Sequence, residues 1–152
     1  MSTFGNTNIG GSWLNDSGNI KAVDKFTLSE AGDVSKLTIY VRGHNTGEDQ
    51  VRRGVIYSDT AGSPNALKGT TAEITVTSAQ AAGWVDLSFS PSVSLTPGDY
   101  WLGYIVGANS AGSDTAYDAS SEGVYNNDTY ADGASDPFGS DYSAARRYFS
   151  SR

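Results

Sequence analysis

The sequence contains no cysteine and only one histidine, His44. The absence of cysteine excludes disulfide bonds, thiolate metal sites and a cysteine nucleophile, so we expect packing alone to stabilise the fold. No serine or cysteine motif lies near His44 in the sequence, which argues against a catalytic triad and against a histidine-rich metal site. Among 17 acidic residues, the spacing selects no pair for glycoside hydrolysis. We therefore expect a protein that is not an enzyme.

Long apolar runs and clustered positive charge are missing as well. No stretch approaches the roughly 18 apolar residues of a membrane span, and residues 1–13 lack the basic start and apolar core of a secretory signal. We expect the mature or excised form of a soluble protein with no membrane partner. Lys and Arg total 10 against 17 Asp and Glu, a net charge of −7, and no segment concentrates the basic residues. This balance argues against nucleic acid as a partner.

The length and the periodicity of the chain predict one all-β domain. At 152 residues, the chain suits a single domain over 1–152. Leu37, Ile39 and Val41 alternate with polar residues and Tyr40, which is typical of a half-buried strand. The same alternation recurs in AEITVT and WVDLSFS, with turn signals between. About eight to ten short strands with such turns predict an antiparallel β-sandwich, and a jelly roll is the preferred topology.

Two segments depart from this pattern, and one more strand follows them. TSAQAAGW, residues 77–84, has a helical pattern but predicts only a turn or two, not a full helix. Residues 108–143 are rich in Gly, Ala, Ser, Asn and Asp, which predicts long loops around one or two short strands. A last strand is predicted in AARRYFSS, residues 144–151.

Three stretches within residues 20–107 carry a resemblance to known proteins: KFTLSEAGDVSKLTIYVRG, VRRGVIYSDTAGSPNALKGTT and GWVDLSFSPSVSLTPGDYWLGYIVG. They resemble a β-sandwich module of bacterial surface proteins and phage structural proteins, and are similar to jelly-roll carbohydrate-binding modules. The resemblance implies a non-catalytic attachment or ligand-binding domain that is extracellular or virion-associated. It names no ligand, because such modules share a scaffold while their binding residues differ.

Side-chain alternation along the predicted strand assigns the aromatic residues of YWLGYIVG to two opposite faces. Trp101, Gly103 and Ile105 share one face, and Tyr100 and Tyr104 lie on the other. Because large aromatics supply much of a sandwich core, we expect Trp101 to pack between the sheets.

A saccharide site needs an aromatic surface for the C–H face of the sugar and polar groups for its hydroxyls. Such groups are expected on one concave sheet, with tyrosines of the later loops at its rim: Tyr40, Arg42, Arg53, Tyr57 and Tyr104 on the sheet, and Tyr117, Tyr125 and Tyr130 at the rim. Two arginines suit an anionic polysaccharide such as a uronate polymer. Trp13 is an alternative platform, and ordinary surface tyrosines with paired arginines are the alternative explanation.

The acidic loop NNDTYADGASD raises the possibility of calcium. Its oxygen donors are Asn126, Asn127, Asp128, Asp132 and Asp136. Their spacing does not match an EF-hand loop, and solvated turns explain them more simply. We expect no cofactor, with calcium as the open alternative.

The sequence thus predicts a carbohydrate-binding module that targets a larger protein or particle to a polysaccharide or glycan surface. The alternative is a structural or attachment module of a phage virion or cell-surface appendage, whose polar and aromatic face contacts another protein.

Overall fold

The structure is a computed structural model that describes residues 3–110, 112–119, 122–144 and 147–148. This part of the chain contains twelve strands and one turn of 3₁₀ helix at Tyr130–Asp132. The strands, in chain order, are β1 (Ser12–Asn15), β2 (Ile20–Leu28), β3 (Gly32–Gly43), β4 (Gln50–Thr60), β5 (Ser63–Thr70), β6 (Ile74–Val76), β7 (Gly83–Leu95), β8 (Gly98–Val106), β9 (Ser113–Asp118), β10 (Gly123–Asn127), β11 (Tyr142–Ala144) and β12 (Arg147–Tyr148). No helix in these residues is long and apolar enough to cross a membrane.

The strands form two antiparallel sheets. Sheet A has the order β1-β9-β3-β7, with β12 also paired to β9. Sheet B has the order β11-β10-β2-β8-β4-β5, with β6 paired to β4. The orders β1-β9-β3-β7 and β2-β8-β4-β5 are those of a jelly roll, in which the chain passes between two facing sheets. The predicted β-sandwich and its jelly-roll topology are confirmed.

The main core lies between the sheets and follows from the alternation in β3. Leu37, Ile39 and Val41 are at most 1% exposed and pack in one cluster with Ile56 of β4 and Leu102 of β8. Along β3, every second side chain is apolar and points into this layer, and the side chains between them point to the outside of the sandwich. Burial of this size is the main source of stability for the fold.

A second apolar layer covers the outer face of sheet B. Residues 128–141, here called the cover loop, bring Phe138 to within 5.0 Å of the Tyr57 ring, measured between ring centroids. Trp101 packs in the same cluster and is only 3% exposed. Its predicted burial is confirmed, but the expected location between the sheets is wrong. Both faces of β8 are covered, so alternation alone does not tell which side faces the other sheet.

A buried polar network ties the two sheets together. The guanidinium of Arg52 on β4 pairs with the carboxylate of Asp16, and both side chains are at most 1% exposed. Arg52 also donates to the Thr115 hydroxyl on β9 at 2.7 Å, and the Tyr104 hydroxyl donates to Asp16 at 2.6 Å. Because every charged member has a partner, the network is compatible with a buried position.

Two local predictions need correction. Residues 77–84 form no helix in the structure: Gln80 donates its backbone N–H to the Thr77 carbonyl at 3.0 Å in a single turn, and β7 begins at Gly83. Pairing of Trp84 with Tyr40 on β3 overrides the weak helical preference of this segment. The region 108–143 holds β9, β10 and the start of β11, where one or two short strands were expected. The last strand was predicted within residues 144–151. Part of it, Arg147–Tyr148, pairs with β9 as β12, and residues 145–146 and 149–151 lie outside the described residues.

Candidate functional site

Three aromatic side chains form a row on the outer face of sheet A. Trp13 lies on β1, Tyr40 on β3 and Trp84 on β7, and the three together are here called the aromatic row. The ring centroids of Trp13 and Tyr40 are 5.9 Å apart, and those of Tyr40 and Trp84 are 5.3 Å apart. Trp84 is 38% exposed, while Trp13 and Tyr40 are half-buried. The row therefore presents an aromatic surface that runs across the strands.

The register of the sheet explains why the rings meet. Tyr40 is the direct partner of Trp84, and Trp13 is the direct partner of Ala116 on β9. Val41 pairs with Thr115, which places Ala116 of β9 next to Tyr40, on the strand between β1 and β3. The methyl group of Ala116 is small enough for the rings on either side to approach over it.

A polar cluster borders the row on one side. Arg42 donates from Nε to Asp114 Oδ2 at 2.8 Å, and its guanidinium carbon lies 4.1 Å from the centre of the Trp13 ring. His44 Nδ1 lies 2.6 Å from Asp114 Oδ1, and Asn15 donates to the same oxygen at 3.2 Å. Burial by itself would raise the pKa of Asp114, but the hydrogen bonds from Arg42, Asn15 and His44 outweigh it and hold the pKa below its ordinary value. Asp114 is thus an ionised anchor that fixes Arg42 against Trp13.

A second polar group follows Trp84 along β7. Asp86 accepts hydrogen bonds from Thr38 at 2.7 Å and from Lys36 at 2.6 Å. Its side chain is 51% exposed, so ligand hydroxyls can still reach it. The face therefore offers aromatic rings flanked by fixed hydrogen-bonding groups, which is the chemistry expected for binding a polar ligand with an apolar side.

The predicted site residues do not share one sheet, and that expectation is wrong. Tyr40 and Arg42 lie on the outer face of sheet A, whereas Arg53, Tyr57 and Tyr104 belong to β4 and β8 of sheet B. Tyr57 and Tyr104 are fully buried. Their hydroxyls donate to the Ser135 carbonyl and to Asp16, each at 2.6 Å. Both tyrosines are structural and lie beyond the reach of a ligand in this structure.

The remaining candidates are dispersed. Arg53 borders a cleft of about 550 Å³ on the outer side of sheet B, with Tyr130 and Glu73. The Tyr130 hydroxyl donates to Glu73 at 2.8 Å, and burial together with that carboxylate raises the pKa of Tyr130 to about 12. Tyr117 is half-buried on β9. The ring of Tyr125 contacts that of Tyr142 at a tilt of 38°, with 5.5 Å between centroids.

Two carboxylates of the acidic loop accept hydrogen bonds from within the protein. Asp128 accepts from Lys21 at 2.6 Å and from the Ser135 hydroxyl at 2.7 Å, and Asp136 accepts from the backbone N–H of Leu67 at 3.0 Å. Within the described residues, no three His, Asp or Glu side chains are grouped so as to hold a metal ion.

Sequence reasoning missed Trp84, Asp86 and Asp114 as site residues. A signal for two of them was present, since Trp84 and Asp86 alternate with the buried positions of β7 and so share its outer face. The role of Asp114 depends on the pairing of β9 with β3, which joins segments 72 residues apart. Such pairing leaves no local mark in the sequence.

The fold and this face define a jelly-roll domain with an aromatic and polar surface on one sheet. The chain matches no protein-family model, no curated protein and no solved structure at a significant level.

Proposed function

We propose that this domain is a non-catalytic carbohydrate-binding module and that the aromatic row is its binding surface. The observation that carries the proposal is the row itself: three large rings cross an otherwise polar sheet face, and Trp84 remains 38% exposed. Aromatic rings pack against the C–H face of a pyranose, and the carboxylate and guanidinium beside them can bind its hydroxyls.

The charges around the row favour a neutral polysaccharide. Arg42 is already paired with Asp114 at 2.8 Å, and Arg53, the other arginine expected at the site, lies on the other sheet. The anionic Asp86 lies beside Trp84 on the same face. A uronate polymer would meet this carboxylate, and the charge of Arg42 is already balanced by Asp114, so a neutral polymer is favoured over an anionic one.

The test begins with a retardation screen on polysaccharides, carried out with and without EDTA. The polymer that retains the protein is then titrated against Trp84→Ala and Tyr40→Ala. Each change removes part of the row from an outer face, so the variants should fold and lose about 1 to 3 kcal/mol of binding free energy.

Tyr142→Ala is the matched control, because Tyr142 is an aromatic residue that is 60% exposed on sheet B. It should bind as the parent does. Full affinity in both folded row variants would reject the aromatic row as the site. Absence of any retained polymer, combined with a trimer or larger ring in light scattering, would favour an attachment module instead.

A further inference from the structure

Lys21 lies in a closed pocket under the cover loop. Its side chain is 0% exposed, and its ammonium nitrogen lies 4.3 Å from the centre of the Phe138 ring and 5.1 Å from that of Tyr57. Nζ donates to Asp128 Oδ2 at 2.6 Å and to the Phe138 carbonyl at 3.2 Å. Full burial disfavours the charged form of such a lysine, and the adjacent carboxylate can take its proton, so the amine can become a nucleophile.

Asn126 is the direct cross-strand partner of Lys21. It is 7% exposed, and its Nδ2 donates to the same Phe138 carbonyl at 2.8 Å. Because Nζ and Nδ2 share one acceptor, they lie within about 6 Å of each other. The other half of the amide, Oδ1, is buried and has no hydrogen-bond partner among the described residues. A buried amide oxygen without a partner is uncommon and calls for an explanation.

We propose that Lys21 and Asn126 are the two ends of an intramolecular amide cross-link, which forms in the folded protein with Asp128 as the proton carrier. The Asp128 carboxylate takes a proton from the Lys21 ammonium, and the neutral Nζ attacks Cγ of Asn126. The C–Nδ2 bond then breaks. Of the two protons that Nζ loses, one is passed by Asp128 to the leaving nitrogen, which departs as ammonia, and the other is released to solvent, so Asp128 ends as a carboxylate. The product is a secondary amide between Nζ and Cγ, and no oxidant or cofactor is consumed.

The electrostatics of the pocket support this sequence of steps. Burial lowers the pKa of Lys21, which favours the neutral amine. Burial would raise the pKa of Asp128, but the hydrogen bonds from Lys21 and Ser135 outweigh it and hold the pKa low. Asp128 is therefore ionised, and its contact with Nζ at 2.6 Å, rather than strong basicity, makes it the proton acceptor. The unpartnered Oδ1 leaves the Asn126 carbonyl oxygen free to take up the proton held by Asp128 as negative charge develops on it, before that proton passes to the leaving nitrogen.

The cross-link would join β2 to β10 and close most of the chain into a loop. It would act as a disulfide does, by restricting the unfolded state, in a protein that has no cysteine.

Intact-mass spectrometry of the folded wild-type protein tests the proposal directly. We expect a mass below that of the sequence by one ammonia, and a protease digest in which the peptide of Lys21 is joined to that of Asn126. Lys21→Met should restore the full mass for its sequence. Lys68→Met, which changes an exposed lysine of β5, should keep the loss of ammonia.

An unchanged mass in protein shown by circular dichroism to be folded would overturn the proposal. So would a loss of ammonia with no joined peptide, which indicates a cyclised asparagine, or a loss of water with Asp128 in the joined peptide. Carbohydrate binding plays no part in these measurements, so the result is independent of the proposed function.

Discussion

Trp101 and Trp84 show how the face of a strand decides what a tryptophan does. Trp101 is 3% exposed, and its indole N–H donates to Asp59 at 2.9 Å, so its ring and its polar atom are both satisfied inside the protein. Trp84 contacts Tyr40 edge to face, at an interplanar angle of 79°, and keeps 38% of its surface in solvent. One ring stabilises the fold, and the other is available to a ligand.

Replacement of each tryptophan by alanine should separate these roles. Trp101→Ala should lower the free energy of unfolding by about 3 to 5 kcal/mol, the range for a buried large aromatic. Trp84→Ala should cost about 1 kcal/mol, the worth of an exposed aromatic pair. Urea denaturation measures both. A loss for Trp101→Ala no larger than that for Trp84→Ala would contradict the packing of Trp101 in the second apolar layer.

The cover loop is held to sheet B at several independent points. Phe138 donates its backbone N–H to the Asn65 carbonyl at 2.8 Å, and Asp128 donates its own to Asn19 at 2.9 Å. The Phe138 side chain is 1% exposed and packs against Tyr57. Without this loop, an aromatic and aliphatic face of sheet B would be exposed to water, so the loop is part of the folded core.

Phe138→Ala should make local opening of the cover loop easier while the two sheets stay folded. The expected cost is about 3 to 5 kcal/mol, because the change opens a cavity in the second layer. Hydrogen exchange should show faster exchange of the amides of Asp128 and Phe138, while the amides of β8 keep their protection. Uniform loss of protection over both regions would instead mean that loop and sheets unfold as one unit.

The sequence allowed the strands to be predicted better than their partners. Alternation in β3 correctly placed Leu37, Ile39 and Val41 inside and Tyr40 and Arg42 outside, because burial of one face is a local property of the chain. It could not show which strands share a sheet, since that depends on pairing between distant segments. The error of grouping β3, β4 and β8 in one binding face has this origin, as does the unforeseen second layer under Phe138.

Two buried carboxylates link the stability of the domain to pH. The pKa values of Asp114 and Asp128 are both lower in the folded protein than in the free side chain. As the pH falls, these carboxylates therefore bind protons at a higher pH in the unfolded chain than in the folded protein. The stabilisation from both residues is complete above the ordinary carboxylate pKa of about 4 and is lost as the pH falls through the lower folded values.

Asp114→Asn should thus lower the stability most near neutral pH, and its difference from the parent should shrink in acid. Urea denaturation at neutral pH and at successive acidic values measures this. Asp132→Asn, which alters an exposed carboxylate, should leave the pH profile of stability unchanged. A constant gap between Asp114→Asn and the parent across the whole acidic range would show that the carboxylate is not linked to folding in this way.

The separation of the tryptophans gives the protein a built-in optical reporter. Of the three, Trp101 is shielded from solvent, whereas Trp84 and, more weakly, Trp13 are accessible on the outer face of sheet A. Iodide should therefore quench one fraction of the fluorescence and leave the other untouched, and Trp84→Ala should remove most of the quenchable fraction. A ligand seated on the aromatic row would protect that same fraction, so its occupancy can be followed by emission without any label.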